Sequence, residues 1–190
     1  MIPSILEGDR IVVDKLAYDL RVPFTFIRLA RFSDPERSDI ITFDSPMDGK
    51  LLVKRVIGIP GDTVELKHNR LFVNGEAATY QPLDATAVPR DLRAVMPFID
   101  VYTETVAGQE RTVMVHRRRP PQIQDSFAAV EVPADHYLVL GDNRDRSKDY
   151  RYIKFVHRDL VLGRANAIAF SLDYENYYMP RADRFFQDLD

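Results

Sequence analysis

Short apolar runs separated by turn-forming residues predict an antiparallel β protein. Alternating or continuous apolar runs of this length, bounded by Gly, Pro, Asn and Asp, are typical of strands rather than helices. Asn74 followed by Gly75 predicts a tight hairpin, because both residue types tolerate positive φ. Gly163, inside the last apolar run, indicates a β-bulge. The predicted strands cover residues 10–13, 38–44, 51–59, 63–66, 112–115, 136–140 and 161–170.

One lysine, Lys54, lies inside the apolar strand predicted at 51–59. The turn-rich residues 45–50 join this strand to 38–44 in a predicted hairpin. Because side chains alternate along a strand, Lys54 is expected on one face and Arg55 on the other, each among aliphatic residues. An ammonium group among aliphatic side chains loses hydration, which lowers its pKa and makes the neutral amine available as a base. The alternative is that the lysine stem covers apolar surface while its charged end reaches water.

The segment 77–133 differs in character from the residues on either side of it. Prolines at 82, 89, 97, 120 and 121 interrupt it, and its hydrophobic periodicity is weak apart from 112–115. We therefore predict a mainly β core formed by residues 1–76 and 134–190, with 77–133 as an inserted smaller β-rich subdomain or a long excursion.

A second unusual segment, 22–32, is rich in aromatic residues and poor in charge. Core packing is the first interpretation of Phe24, Phe26, Leu29 and Phe32. If these side chains are exposed, such a patch would suit a membrane surface or a partner protein.

Composition and charge exclude several classes of function. The 190 residues carry a formal net charge of −3, which gives no sign of nucleic-acid binding. The basic cluster at 117–119 precedes two prolines and is interpreted as a solvated loop. The chain contains no cysteine, so disulfide and thiolate chemistry are excluded. Its four histidines lie far apart, without the spacing of metal ligands.

The polar segment 141–151 has two interpretations. Its acidic residues occupy alternate positions as in an EF-hand calcium loop, but a tyrosine stands where that loop needs glycine and a valine where it needs a bidentate glutamate. We therefore reject calcium binding and expect a rigid loop in which Asp149 pairs with Arg151 or Arg144.

A serine–lysine dyad is the most specific chemical hypothesis for these residues. In such peptidases a neutral lysine removes the proton of a serine hydroxyl, which then attacks an amide carbonyl. The lysine needs an apolar neighbourhood and, preferably, a second hydroxyl that fixes its amine. Lys54 and Ser147 supply these two parts.

Four segments in order resemble the signature motifs of type I signal peptidases. They read MIPSILEGD at 1–9, KRVIGIPGD at 54–62, GDNRDRSKDYR at 141–151 and VLGRA at 161–165. One such motif would be modest evidence, whereas four in the correct order over nearly the whole chain are highly specific. The resemblance implies a mainly antiparallel β fold.

The resemblance also implies roles for individual residues. Lys54 matches the general base, and Ser147 matches the hydroxyl that orients it. Met1 matches the residue after the nucleophile, and we expect Met1 and Pro3 to contact the substrate. Tyr150 departs from the serine that is usual at its position. The supporting positions of the loop are Asp142, Asn143, Arg144, Asp149 and Arg151, of which the last two match an ion pair.

The nucleophilic serine of this family would come immediately before Met1. We therefore expect the sequence to begin inside the first motif and this chain to lack peptidase activity by itself. Ser4 is the nearest hydroxyl, but it matches a motif position that has no nucleophilic role.

The function implied by the resemblance is that of a membrane-anchored serine endopeptidase that removes signal peptides from exported proteins. Its catalytic domain would lie on the extracytoplasmic side, with signal peptides and the membrane surface as partners and with no nucleic acid, metal or organic cofactor. One alternative is an inactive homologue that binds exported peptides or assists assembly. Another is a self-cleaving repressor-type peptidase, although no DNA-binding segment precedes the β region and the long insertion does not fit.

Overall fold

Antiparallel strands are the main secondary structure of the computed structural model, which describes residues 1–22, 27–118, 122–174 and 176–189. Two single-turn α-helices accompany the strands, α1 (Arg90–Arg93) and α2 (Tyr150–Ile153). The strands are β1 (Asp9–Asp14), β2 (Asp19–Arg21), β3 (Arg28–Arg31), β4 (Ile40–Asp44), β5 (Leu51–Gly58), β6 (Thr63–Lys67), β7 (Arg70–Val73), β8 (Glu76–Ala77), β9 (Thr79–Pro82), β10 (Ile99–Val106), β11 (Gln109–His116), β12 (Phe127–Glu131), β13 (His136–Leu140), β14 (Val156–His157), β15 (Val161–Asp173), β16 (Met179–Pro180) and β17 (Gln187–Asp188). The predicted mainly β fold is confirmed.

The largest sheet has the order β1-β15-β4-β5-β13-β14, and β16 and β17 also pair with β15. The predicted hairpin forms as β4 and β5, with Ile41 opposite Lys54. Neighbouring residues of β5 pack in different clusters, since Leu52 lies beside one buried group and Val53 beside another. This alternation places the Lys54 and Arg55 side chains on opposite faces of the strand, as predicted.

A register shift between Val161 and Gly163 interrupts the pairing of β15 with β4, as the bulge prediction requires. A Cβ atom at Gly163 would lie 2.5 Å from the carbonyl oxygen of Asp14. Glycine therefore allows the strands to approach at this point.

The second sheet has the order β12-β6-β7-β8. The predicted Asn-Gly hairpin joins β7 to β8, with φ of 52° at Asn74 and 82° at Gly75. Its central side chains, including Val64, Leu66 and Leu71, are fully buried in the core.

Residues 77–133 form a three-stranded sheet of order β11-β10-β9, while β12 pairs with β6. The segment is β-rich, as predicted. Strand β10 was missed in the sequence, although Ile99, Val101 and Val106 are buried. The division at 77 and 133 stays a prediction.

The aromatic-rich segment does not pack in the core, and that interpretation is wrong for the residues described. Ile27, Leu29 and Phe32 are 60%, 63% and 60% exposed. Strands β2 and β3 form a separate two-stranded sheet, and these three apolar side chains, on it or beside it, are left exposed. Phe24 and Phe26 lie outside the described residues, as does Arg119 of the basic cluster.

Among the described residues, no helix is long and apolar enough to cross a membrane.

Candidate active site

Lys54 lies in the middle of β5, where its side chain is partly buried. Its Nζ donates a hydrogen bond of 2.9 Å to the carbonyl oxygen of Val53. Burial lowers the pKa of Lys54, and it outweighs the carboxylates of Asp149 and Asp142, which raise that pKa. The apolar strand therefore makes this lysine easier to deprotonate than a solvated one.

Gly141 brings Ser147 and Lys54 to the same place. It directly follows β13, and a Cβ atom at this position would lie 2.1 Å from Ser147 Oγ and 3.7 Å from Lys54 Cδ. Only a residue without a side chain leaves room for the serine to fold back against the strand end. The predicted base and the hydroxyl predicted to orient it are far apart in sequence, yet both lie against Gly141.

The hydrogen bond implied between Ser147 and Lys54 is not formed in this arrangement. Ser147 Oγ is shielded from solvent and has no hydrogen-bond partner within the described residues. A buried hydroxyl without a partner is unfavourable. The site is therefore ready for one further hydrogen bond at Ser147.

Asp149 and Arg151 hold the two ends of the loop 141–151 together. Arg151 Nη2 and Nε donate to the two carboxylate oxygens of Asp149 at 2.7 and 2.8 Å, and both side chains are almost fully buried. Asp149 also accepts a hydrogen bond from the backbone N–H of Gly141 at 3.1 Å. The ion pair predicted with Arg151 is present, and it fixes Gly141 directly.

Asp142 is the centre of a second buried ion pair. It accepts hydrogen bonds from Arg55 Nε and Nη2, both at 3.0 Å, and from Ser4 Oγ at 2.5 Å. Burial would raise the pKa of Asp142, but the Arg55 charge and these hydrogen bonds lower it below its usual value. The Ser4 hydroxyl is therefore held by an ionised carboxylate, which agrees with the absence of a nucleophilic role for it.

Asn143 and Arg144 attach the loop to the segment 77–133. The backbone of Asn143 forms a parallel bridge with Met114 of β11. Arg144 Nη2 donates to Glu104 Oε2 at 2.5 Å, and both side chains are buried. Sequence reasoning missed Glu104, because no local pattern marks the partner of a charge forty positions away.

The backbone amine of Met1 is part of the same site. Burial lowers the pKa of this amine; Asp142 raises it, and the charges of Lys54 and Arg55 lower it further. Met1 also lines a cleft with Val53, whose carbonyl oxygen accepts a hydrogen bond from Lys54 Nζ.

An apolar cleft of about 620 Å³ opens beside Met1. Its walls include Met1, Ile5 and Val53 from the core, and Val95 and Phe98 from the segment 77–133. Pro3, the other residue expected to contact substrate, lies in the wall of a neighbouring cleft with Ser4 and Arg55.

The acidic residues of the loop do not gather into a metal site. Asp145 accepts from Asn69 Nδ2 at 2.9 Å and from the backbone N–H of His116 at 2.6 Å, whereas Asp149 faces Arg151. Within the described part of the chain, no three His, Cys, Asp or Glu side chains are grouped to hold a metal ion.

The family model described as "Signal peptidase, peptidase S26" matches residues 1–170. The chain belongs to this family. The matched part of this S26 signal peptidase sequence contains Lys54 and the whole loop 141–151. The individual roles of these residues stay predictions.

Several signal peptidases are similar to this chain. Signal peptidase I of Pseudomonas fluorescens is 35% identical over 154 residues, which cover 80% of this chain and 51% of the relative. Signal peptidase I of Pseudomonas aeruginosa is 35% identical over 157 residues, with the same two shares. The chain thus spans about half the length of these relatives. A crystal structure of a signal peptidase I from Enterococcus faecalis shares 32% identity and a TM-score of 0.41, covering 70% of this chain and 97% of that one.

Proposed function

We propose that this chain is the catalytic part of a serine–lysine signal peptidase that removes signal peptides from exported proteins. One observation carries the proposal: the partly buried Lys54 and the hydroxyl of Ser147 converge on Gly141, and Val53, which accepts from Lys54, lines the same cleft as Met1. Burial lowers the pKa of Lys54, as a lysine base requires.

The nucleophile in this proposal is a serine joined directly to Met1. Lys54 Nζ removes its hydroxyl proton as the serine oxygen forms a bond to the scissile carbonyl carbon. The protonated Lys54 then passes the proton to the amine that leaves when the C–N bond breaks. Ser147 orients the Lys54 amine by accepting or donating one hydrogen bond. Its Oγ is available for this bond, because it has no other hydrogen-bond partner within the described residues.

The substrate is proposed to bind as an extended strand along the apolar cleft beside Met1. Backbone hydrogen bonds would supply affinity, and the cleft would select side chains by size. Met1 and Val53 line this cleft directly. Pro3 lines the neighbouring cleft, and we propose that it affects substrate binding by fixing the backbone next to Met1 and Ile2.

We also propose that the domain works at a membrane surface on the extracytoplasmic side. The exposed Ile27, Leu29 and Phe32 support this proposal. They lie on or beside the separate sheet of β2 and β3, and exposed apolar side chains of this kind suit insertion between lipid headgroups.

The proposal is tested with the chain extended at Met1 through its natural upstream residues. Cleavage of a signal-peptide substrate should appear in the extended chain and disappear in its Lys54→Ala variant. Lys50→Ala, in the same hairpin but with an exposed side chain, is the matched control and should keep full activity. Full activity of the Lys54→Ala variant would exclude the dyad. Peptide binding without any cleavage would instead identify an inactive homologue.

A further inference from the structure

The buried charges around Arg55 do not balance. Four arginines, each at most 6% exposed, stand in this part of the molecule: Arg55, Arg111, Arg144 and Arg184. They face three buried carboxylates. Asp142 binds Arg55, Glu104 binds Arg144, and Asp9 binds Arg184.

Arg111 is the arginine left in excess. Its Nε lies 3.1 Å from Glu104 Oε2, the oxygen that already accepts from Arg144. Its Nη1 is shielded from solvent and has no hydrogen-bond partner within the described residues. Nε and Nη1 of Arg144 also lack a partner, but of these two arginines only Arg111 lines the cleft beside Arg55. Buried guanidinium groups are normally paired, so the free donor of Arg111 favours an additional acceptor in that cleft.

A cleft of about 360 Å³ lies against this arginine. Arg55, Arg111 and Arg184 line it together with the hydroxyl residues Ser4, Thr103 and Thr112. Arg55 and Arg184 already bind Asp142 and Asp9, so Arg111 is the guanidinium group available to a tetrahedral or planar oxyanion.

The rim of the cleft restricts the size of the anion. Glu110 and Asp188 also line it, and both residues are exposed. Their charges are screened by water and salt, but they repel an extended anionic surface more than a small ion that passes between them.

We propose that this cleft binds a small free oxyanion of the phosphate class through Arg111. The site lies on the Arg55 face of β5, opposite Lys54, and its existence does not depend on the proposed peptidase function. It touches the candidate active site through Arg55, which holds Asp142. An anion here would offset the excess charge beside that ion pair.

The experiment measures thermal unfolding of the chain in inorganic phosphate and in chloride at equal ionic strength and pH. Ligand binding to the folded state raises the melting temperature, by about 3–6 °C at ten times the dissociation constant for a chain of this size. Above the dissociation constant the rise should follow the logarithm of the phosphate concentration. It should be absent in Arg111→Gln and persist in Arg10→Gln, which removes an exposed arginine of β1. An equal phosphate response in Arg111→Gln would overturn the proposal, as would a response of the unchanged chain no larger than that to chloride.

Two further measurements use a conservative variant and lipid vesicles. If Arg111→Gln does not fold, phosphate is titrated calorimetrically into Arg111→Lys, where one ammonium replaces the guanidinium fork and binding should weaken roughly tenfold. Unchanged affinity in that variant would refute a role for Arg111. Vesicles containing phosphatidic acid separate a lipid headgroup from the free ion: Arg111-dependent cosedimentation without any response to soluble phosphate would overturn the free-ion assignment.

Discussion

Removing Glu104 and removing Arg111 should change stability very differently, although the two residues face each other across β10 and β11. Glu104→Gln leaves the Arg144 guanidinium, 1% exposed, without its carboxylate. Removing one partner of a buried ion pair costs about 3–5 kcal/mol, because the remaining charge stays desolvated. Since Arg111 also loses its nearest carboxylate, the upper part of this range is expected for the free energy of unfolding.

Arg111→Met removes the charge in excess instead. Glu104 keeps Arg144 and the hydroxyl of Tyr80, which donates to it at 2.7 Å. Removing one member of a buried ion-pair network is costly when it leaves a partner charge unpaired, and here Glu104 stays paired with Arg144. We therefore expect the free energy of unfolding to stay within about 1 kcal/mol of that of the unchanged chain.

Urea unfolding of both variants, in buffer without phosphate, provides the test. The midpoint should fall strongly for Glu104→Gln and little for Arg111→Met, with an unchanged slope m in both cases. Equal losses in the two variants would show that Arg111 is a full member of the buried ion-pair network. That result would also remove the charge imbalance on which the oxyanion site rests.

Three further predictions concern the dyad and the turns. Lys54, labelled by ¹³C reductive methylation, should titrate below the ordinary value of 10.5 in NMR spectra, because burial lowers its pKa. Burial disfavours the charged amine in the folded state, so Lys54→Met should raise the free energy of unfolding at pH values where Lys54 is charged. This gain is complete below the folded-state pKa and disappears as the pH rises past 10.5. A gain that increases with pH would contradict this prediction. Gly141→Ala should lower the free energy of unfolding by about 1–3 kcal/mol, because the new methyl group displaces Ser147. Adding Ser147→Gly to the same chain should restore most of this loss. Purely additive effects in the double variant would show that the two side chains do not clash. Gly75→Ala, at a φ of 82°, should lower the free energy of unfolding by about 1–2 kcal/mol, and an unchanged urea midpoint would argue against the hairpin turn.

The strands predicted from the sequence are those whose evidence is local. The hairpin carrying Lys54 has a short apolar run on each arm and a turn-rich connection, so its pairing follows from a few neighbouring residues. The Asn74–Gly75 turn is equally local, because the positive φ values belong to the turn residues themselves. The aromatic-rich segment failed for the opposite reason: whether Leu29 and Phe32 are buried depends on a second layer of structure, which their own sequence does not encode.

The candidate site shows the same distinction at the level of single contacts. The motif 141–151 predicts Asp142, Ser147 and Asp149 as site residues. The Asp149–Arg151 ion pair is also predictable, because its partners are only two positions apart in sequence. What holds this loop against the rest of the molecule is Arg144 on Glu104, a contact forty residues away in sequence. A lone glutamate in an alternating strand is indistinguishable from a solvated one until the sheet β11-β10-β9 turns it inward, where burial makes its pairing obligatory. The segment 77–133 therefore does more than interrupt the core, because it supplies the buried carboxylate that fixes one end of the loop carrying Ser147.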